Sequence, residues 1–414
     1  MELDRRTLIA GAGLGLAGGA LAAGNGLVDL HLPGGPSERP LTPRFPQKGD
    51  MIVQRVRPPL LETPFEVFDQ GTITPNDRHF VRWHYSDIPT SIDVASYRIA
   101  VHGAVKAPQS LSLGELLKVG EHIEFAAVNQ CAGNGRGLFE PRVAGAQWAN
   151  GAMSNAKWRG VRLRDVLDKA GVGADAKFVR FKGLDKPLVA DAPHFIKSLP
   201  LDKARADDTI LAFAMNGEAL PVLNGFPLRL VVPGWFSTYW VKMLSDIEVL
   251  TAEDDNFWMA KAYRMPTVPV KPGDKDFPTV PVTAMGPRSF VTSHADGAVV
   301  RAGEQLRVSG IAFGGDCGVK EVSLWVEAGK FLAEGPIPSD APIPYPVSLQ
   351  ADDGKFGFRK WVCDTPIPVS NVLEGMTLRT RCTNTDGVAQ PSVQAWNPSG
   401  YARNLVEPIT LRVA

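Results

Sequence analysis

Residues 129–136 read Asn-Gln-Cys-Ala-Gly-Asn-Gly-Arg and carry the most distinctive chemistry of the sequence. Cys131 follows an apolar run and enters a glycine-rich turn, and Arg136 lies five residues further on. Positive charge and closely approaching backbone favour the thiolate form of a cysteine. A thiolate acts as a nucleophile or as a ligand for a soft metal ion, whereas a lone cysteine is more often a small buried residue. The polar and glycine neighbours of Cys131 favour the two functional interpretations.

Neither chemistry is complete with Cys131 alone. A nucleophile needs a neighbouring base, and the seven histidines are too dispersed along the chain for the sequence to nominate one. His79 and His84 could share a metal site, but this spacing in an expected loop is weak evidence for zinc. If Cys131 is the only protein ligand of a metal, an organic cofactor must supply the remaining ligands.

The segment around Cys131 resembles the molybdenum-ligating motif of the sulfite oxidase family of molybdopterin enzymes, in which Cys-Ala-Gly-Asn is followed by an arginine. Other segments are similar to hallmarks of that family and occur in the same order. They are residues 80–84 (Phe-Val-Arg-Trp-His), Trp148 with Trp158, residues 216–234 with their Gly-Phe-Pro-Leu-Arg, residues 241–242, and residues 258–263. The likeness extends from about residue 78 to the C-terminus, and several ordered motifs are more specific than any one.

The resemblance implies a molybdenum–molybdopterin cofactor, with Cys131 as the protein ligand of the metal and the pterin dithiolene supplying other sulfurs. Cationic side chains among the matching positions suit the cofactor's phosphate, although each alone could equally be a solvated surface residue. Asn224 departs from the pattern, because vertebrate members have a histidine there and an asparagine carries no charge. The positions that match the family's pterin contacts are Phe80, Arg82, His84, Asp185, Asn224, Arg229 and Lys242.

The resemblance also implies the substrate and the reaction. Arg82, Arg136, Trp148 and Tyr263 match positions that line the family's oxyanion pocket, and Arg359 is a candidate arginine from the second domain. Guanidinium groups suit sulfite because they form paired, charge-assisted hydrogen bonds with oxyanions. The expected reaction is oxidation of sulfite to sulfate by oxygen-atom transfer at the molybdenum centre. The alternatives within this cofactor class are a sulfane dehydrogenase subunit of a thiosulfate-oxidising system and a nitrate reductase.

The elements that must position these residues are mostly short. Apolar, β-branched runs predict strands at 97–101, 123–128, 178–181 and 228–232. Two short helices are predicted at 113–119 and 161–170. Prolines punctuate residues 41–75, so an extended surface segment is expected there, with regular structure starting after it. This mixture predicts an α+β molybdopterin-binding catalytic domain over residues 41–284.

A second domain is expected over residues 285–414. Six prolines between Met265 and Arg288 predict a connector, because their density excludes a helix or a central strand. Beyond the connector, short alternating runs separated by turn signals predict an immunoglobulin-like β-sandwich. These runs lie at 305–311, 319–328, 355–363, 376–383 and 409–413. In the family that this chain resembles, the sandwich serves dimerisation, so a homodimer is expected.

Composition and charge exclude several classes of protein. Lys plus Arg equals Asp plus Glu at 44 each, so no net positive field favours nucleic acid. The four cysteines are too few and too scattered for a disulfide scaffold or a paired-cysteine zinc site. Cys317, Cys363 and Cys382 leave two alternatives open, one disulfide with a thiol left over or three buried thiols. A non-enzymatic exported binding protein would explain a sandwich and an export signal, but not the ordered motifs.

Residues 1–25 are expected to be a twin-arginine signal peptide. Arg5 and Arg6 precede an uncharged stretch rich in Ala, Gly and Leu that is too glycine-rich for a confident membrane span, although a retained anchor is the alternative. The mature protein is therefore expected in the periplasm, without a membrane span. The sequence has no Cys-x-x-Cys-His motif for a haem and no cytochrome b5-like segment. The resemblance therefore implies an external electron acceptor, a c-type cytochrome.

Overall fold

The first sheet starts earlier than the sequence predicts. The computed structural model describes residues 26–328, 335–337, 343–370 and 375–414, so the expected signal peptide lies outside the described residues. Its first five strands form an antiparallel sheet in chain order. They are β1 (Leu27–Asp29), β2 (Glu38–Thr42), β3 (Met51–Arg55), β4 (Leu60–Glu62) and β5 (Val81–Arg82).

The prediction that residues 41–75 lack regular structure is therefore wrong. Pro58 and Pro59 lie in the turn between β3 and β4, where they interrupt no strand pairing. Met51 and Leu61 are fully buried in the cluster under this sheet. Burial of apolar side chains thus stabilises strands whose proline content suggests a loop.

Two further sheets form the centre of the molecule. One has the order β11-β10-β15-β6-β7, with β15 and β6 parallel, and the other has the order β13-β12-β9-β8, with β14 paired to β12. The strands are β6 (Arg98–Gly103), β7 (Gln109–Ser112), β8 (His122–Gln130), β9 (Met153–Arg162), β10 (Phe178–Gly183), β11 (Ile196–Pro200), β12 (Ile210–Met215), β13 (Glu218–Ala219), β14 (Arg229–Val231) and β15 (Leu244–Leu250). The strands predicted in this region are all present, with ends shifted by a few residues.

The helices are few and short. They are α1 (Leu113–Leu116), α2 (Leu163–Ala170), α3 (Leu201–Ala204) and α4 (Phe257–Ala260). A reciprocal capping box of Ser112 and Glu115 starts α1, and Gly171, with φ of 71°, ends α2 in the left-handed region that glycine favours. Within the described residues the molecule is therefore mostly strand, with less helix than the predicted α+β mixture suggests.

The proline-rich stretch after α4 contains a two-stranded antiparallel ribbon of β16 (Arg264–Pro266) and β17 (Thr279–Pro281). Proline is compatible with such an edge position, where fewer N–H groups are needed for pairing. The ribbon places Tyr263, the residue before β16, against the central sheets.

The C-terminal part consists of two four-stranded sheets with the orders β18-β21-β24-β23 and β19-β27-β26-β22, plus the pair β20-β25. Its strands are β18 (Arg288–Val291), β19 (Val299–Val300), β20 (Gln305–Leu306), β21 (Ser309–Phe313), β22 (Val319–Ala328), β23 (Val347–Leu349), β24 (Arg359–Cys363), β25 (Ile367–Pro368), β26 (Gly375–Asn384) and β27 (Pro408–Val413). Both sheets contribute to one core that includes Leu324, Trp361 and Leu411. This part is a β-sandwich, while its immunoglobulin-like topology and dimer role stay predictions.

Two further expectations concern membrane spans and cysteines. No helix among the described residues has the length and apolarity needed to cross a membrane. All four cysteines are free thiols in the structure. Burial raises the pKa of Cys382 to about 12, so this thiol stays protonated.

Candidate functional site

A narrow cleft, partly open to solvent, gathers most of the predicted site residues. Its walls come from residues 80–84, 129–132 and 223–242, together with Phe195 and Tyr263. Eight residues predicted from the sequence line it: Phe80, Arg82, His84, Cys131, Asn224, Arg229, Lys242 and Tyr263. Four predicted residues lie outside the lining: Arg136, Trp148, Asp185 and Arg359.

Cys131 lies directly after β8, in a turn closed by backbone hydrogen bonds. Its N–H donates to the Ala152 carbonyl at 2.9 Å, and its carbonyl accepts from the Asn134 N–H at 2.9 Å. The Gly133 N–H lies 3.4 Å from Sγ and donates to it. A Cβ on Gly133 would lie 2.4 to 2.6 Å from the Arg136 guanidinium, so a larger residue there would displace that side chain. The turn therefore presents the sulfur to the cleft in a fixed direction.

Three cations face the cleft from different elements. Arg82 is the last residue of β5, Arg229 is the first residue of β14, and Lys242 lies just before β15. Burial lowers the pKa of Arg229 to about 9. Burial, followed by repulsion from Arg229, lowers the pKa of Lys242 to about 7. The site therefore brings positive charges together although burial disfavours the charged form of these groups.

Several polar atoms in this cleft have no protein partner. Arg82 Nη1, Arg229 Nε and Thr238 Oγ1 are buried, and each lacks a hydrogen bond within the described part of the chain. Buried donors in native proteins are normally paired, so an unpaired set around one cleft indicates a ligand with acceptor atoms. A cysteine sulfur beside such donors fits a metal-bearing, anionic cofactor.

Asp185 is a buried carboxyl close to this cleft. Burial raises the pKa of Asp185, and the positive charge of Lys242 opposes that rise. Because burial opposes the charge on both groups, their attraction stabilises the ionised pair only in part. The family resemblance assigned Asp185 to the cofactor, and the structure places it outside the cleft lining, within electrostatic reach of Lys242.

His84 and Tyr263 form a hydrogen-bonded pair. His84 Nε2 lies 2.6 Å from the Tyr263 hydroxyl, and the imidazole stacks on Phe195 with ring centroids 3.6 Å apart. Burial, followed by the charge of Arg82, holds the pKa of His84 well below its usual range, so the imidazole is neutral. Burial raises the pKa of Tyr263, so the phenol keeps its proton. Tyr263 also has a φ of 54°, a strained value for a non-glycine residue that is typical of functional sites.

Arg136 and Trp148 support the site from behind. Trp148 is fully buried and packs in one cluster with Phe80 and Cys131. Arg136 Nε donates to the Ser399 carbonyl at 2.9 Å, and its guanidinium lies 5.2 Å from the centre of the Tyr401 ring. Tyr401 in turn stacks on Tyr263 with centroids 5.3 Å apart. Arg136 is therefore separated from the cleft by one aromatic ring.

The structure does not bring Arg359 to the cleft, which corrects the sequence-based prediction. Along β24 the side chains alternate, so Arg359 shares a face with Trp361 and Cys363 of the sandwich core. Its Nε donates to the Gln350 carbonyl at 3.1 Å, and its Nη1 lies 3.7 Å from Asp352. Phe358, just before β24, lies on the opposite face and packs in one cluster with Val128 and Tyr263. The short sequence match gave no information about which face the arginine occupies.

Sequence reasoning missed residues that reach the site from distant positions. Lys48 binds Asn224, Glu62 binds the segment that holds Cys131, and Tyr401 covers Tyr263. Thr238 and Phe195 line the cleft directly. No local motif marks these residues, because each contact joins segments far apart in the chain. A buried lysine or glutamate becomes recognisable only when its partners are known.

Comparisons with known proteins agree on one family. Residues 85–258 match the oxidoreductase molybdopterin binding domain. The chain is 32% identical over 370 residues to mitochondrial sulfite oxidase of Mus musculus, covering 86% of this chain and 64% of that protein. It is 35% identical over 312 residues to sulfite oxidase of Gallus gallus, covering 71% and 67%. The chain therefore spans just under two thirds of the mouse protein.

A solved structure extends the likeness to the whole fold. The sulfane dehydrogenase SoxCD from Paracoccus pantotrophus superposes with a TM-score of 0.67 and 25% sequence identity. The match covers 84% of this chain and 83% of that chain. It therefore includes strands of the sandwich as well as those that surround Cys131.

Proposed function

Because the chain belongs to the sulfite oxidase family of molybdopterin enzymes, we propose that it oxidises sulfite to sulfate at a molybdenum–molybdopterin centre. The observation that carries the proposal is the cleft in which the Cys131 thiol meets Arg82, Arg229 and Lys242. When bound, the cofactor supplies two-electron oxygen-atom transfer. Cys131 is the residue that would hold the metal, and the buried cations would hold the anionic pterin.

The remaining residues suit the binding of a small oxyanion. Arg82 offers a buried Nη1 without a hydrogen-bond partner among the described residues, and this group can donate a charge-assisted hydrogen bond to sulfite. Tyr263 and His84 add neutral hydrogen-bonding groups, because burial keeps the phenol protonated and the imidazole uncharged. Phe195 and Trp258 enclose the imidazole with aromatic rings and limit the access of water. Conversion of sulfite and water to sulfate releases two protons and two electrons.

The destination of the electrons and the location of the reaction are also part of the proposal. We infer that the protein acts in the periplasm after export by the twin-arginine route, which the Arg5-Arg6 segment supports. The electrons are proposed to pass to an external c-type cytochrome. The sandwich over residues 285–414 is proposed to be an immunoglobulin-like dimerisation domain.

The test measures sulfite-dependent reduction of ferricyanide and cytochrome c, together with the molybdenum content of the same sample. We expect turnover with about one molybdenum per chain, and loss of both in Cys131→Ser, because a hydroxyl is a poor ligand for a soft metal site. Cys317→Ser, a half-buried thiol of the sandwich, is the matched control and should retain both. Absence of molybdenum in the correctly folded wild-type protein would contradict the proposal.

A sulfane dehydrogenase is the second candidate. The likeness to SoxCD over 84% of this chain favours it. Both substrates present sulfur to the same cleft, so the two functions differ in the sulfur donor that supports turnover. If the protein has its full molybdenum content and does not oxidise sulfite, but oxidises protein-bound sulfane sulfur, it is a sulfane dehydrogenase.

A further inference from the structure

Lys48 is a buried lysine at the back of the cleft. It lies between β2 and β3 and is 7% exposed. Its ammonium donates to the Asn224 Oδ1 at 2.6 Å and to the carbonyls of Asn76 and His79 at 2.8 and 2.9 Å. An ammonium group has three donors, so these contacts satisfy all of them. The orientation of the Lys48 side chain is therefore fixed.

The three acceptors lie in or just before two wall segments of the cleft, residues 80–84 and 223–242. Asn76 and His79 lead into the wall that carries Phe80 and Arg82, whereas Asn224 belongs to the other wall. Asn224 Nδ2 also donates to the Phe80 carbonyl at 3.1 Å, so the two wall segments contact each other directly as well. Lys48 thus links the two walls through a single charged group.

Asn224 also connects Lys48 to the cations of the cleft. The Asn224 carbonyl accepts a hydrogen bond of 2.8 Å from Arg229 Nη1, so the position of Asn224 affects the direction of that guanidinium. Asn224 thus contacts Lys48 through its side chain and a cation that lines the site through its backbone carbonyl. Lys48 acts on the cleft through Asn224, without lining it.

The charge of Lys48 is costly at this place. Burial lowers the pKa of Lys48 to about 7, and Asp77 offsets this only in part. The hydrogen bonds to three oxygens nevertheless suit the charged form. Together with Arg82, Arg229 and Lys242, this ammonium adds to a positive field that matches an anionic ligand.

We propose that Lys48 is a positioning residue for the anionic cofactor, which fixes Asn224 and adds positive charge behind the wall that would face the pterin. The inference rests on the proposed function only in its assumption that the cleft holds an anionic molybdopterin. It does not depend on which sulfur compound is oxidised.

The experiment compares Lys48→Met, Lys48→Gln and Lys48→Arg in the full chain. Molybdenum and pterin per chain are followed during dialysis, with thermal unfolding measured in parallel. Loss of a charge-assisted contact should speed cofactor release by about tenfold in the Met and Gln variants. Lys48→Gln retains a polar head group and so protects the test if Lys48→Met does not fold. Lys48→Arg keeps the charge and should release cofactor more slowly than the Met and Gln variants, although the larger guanidinium does not reproduce the ammonium contacts.

Two comparisons separate positioning from general stability. Leu411→Ala removes a fully buried side chain in the sandwich core and should lower the unfolding temperature without faster release. Asn224→Ala should also speed release, and its combination with Lys48→Gln should add little, because both act through the same contact.

Two results would overturn the inference: wild-type retention in both Lys48→Met and Lys48→Gln, or equally fast release in Leu411→Ala. A wild-type protein without molybdenum or pterin would overturn both this inference and the proposed function. A wild-type protein that holds the cofactor but does not oxidise sulfite would remove the proposed substrate, and the Lys48 comparison would still decide this inference.

Discussion

Arg82, Arg229 and Lys242 face one cleft, where burial opposes the charges of Arg229 and Lys242 and repulsion from the two arginines further opposes the charge of Lys242. Desolvation of a buried charge costs several kcal/mol unless another group compensates it. A bound anion provides that compensation, because it accepts hydrogen bonds from donors that have no partner in the described part of the chain, such as Arg82 Nη1. The arrangement of these side chains thus favours ligand binding and lowers the stability of the protein without its ligand.

Replacement of Arg82 by methionine should weaken binding of sulfite. The variant loses one charge-assisted donor at the cleft, a change of about 1.5–3 kcal/mol, so KM should rise about 10- to 100-fold. KM is measured from initial rates and referred to molybdenum-loaded sites. Arg98→Met, which removes an exposed arginine of β6, is the matched control. An unchanged KM for Arg82→Met would show that this guanidinium does not contact the substrate.

The predictable residues are those whose role depends on short local patterns. Cys131 could be placed from the sequence because an apolar run followed by a glycine-rich turn specifies both a strand and its end. Lys48 could not, because its hydrogen bond to Asn224 joins positions 176 residues apart. Arg359 was misplaced for a related reason, since a sequence match does not specify the register of β24. Local patterns therefore predict elements, while packing between elements decides which side chains meet.

At the scale of elements, residues 148–152 position Cys131. The Ala152 carbonyl accepts from the Cys131 N–H, and the Ala149 carbonyl accepts from the Gly135 N–H at 2.7 Å. Glu62, the last residue of β4, accepts from the Gly151 N–H at 2.8 Å and the Ala149 N–H at 3.3 Å. A Cβ on Gly151 would lie 2.0 Å from the Thr63 carbonyl, so only glycine permits this approach. The N-terminal sheet, which the sequence did not predict, thus supports the ligand turn.

The pH dependence of stability should report the burial of Glu62. Burial raises its pKa from 4.5 to about 7, so the folded state holds the proton more tightly than the unfolded state. Stability from this group is therefore fully present below about pH 4.5 and is lost as pH rises through about 7. Relative to Glu62→Gln, the wild type should lose about 3 kcal/mol of unfolding free energy across this window, from a difference of about 2.5 pKa units.

Denaturant unfolding of both proteins between pH 4.5 and 8 measures this difference. Glu66→Gln, which removes an exposed glutamate of the following turn, controls for the loss of one carboxylate. Parallel stability curves for the wild type and Glu62→Gln would show that Glu62 ionises in the folded protein as it does in water.

At the scale of the whole molecule, the sandwich holds the same segment from the other side. Asn150 Nδ2 donates to Glu407 Oε2 at 2.6 Å, and Arg288 Nη2 reaches Asn150 Oδ1 at 3.0 Å and Glu407 Oε1 at 3.2 Å. Arg403 forms a second ion pair with Glu407. The two carboxylates, Glu62 and Glu407, therefore fix residues 148–152 between the N-terminal sheet and the sandwich.

This arrangement predicts that a change in the sandwich alters the reactivity of Cys131. Glu407→Gln removes the carboxylate that the two buried guanidiniums share, at an expected cost of about 3 kcal/mol. If that loss loosens residues 148–152, the Cys131 thiol of cofactor-free protein should react with a thiol reagent about tenfold faster, as local opening becomes more frequent. Mass spectrometry of the labelled peptide assigns the site. Asp296→Asn, which removes a carboxylate bound to Thr410 of β27, is the control and should leave the labelling rate at the wild-type value. Equal labelling in Glu407→Gln and the wild type would mean that the ligand turn is stable without the sandwich contact, and that the N-terminal sheet alone determines its geometry.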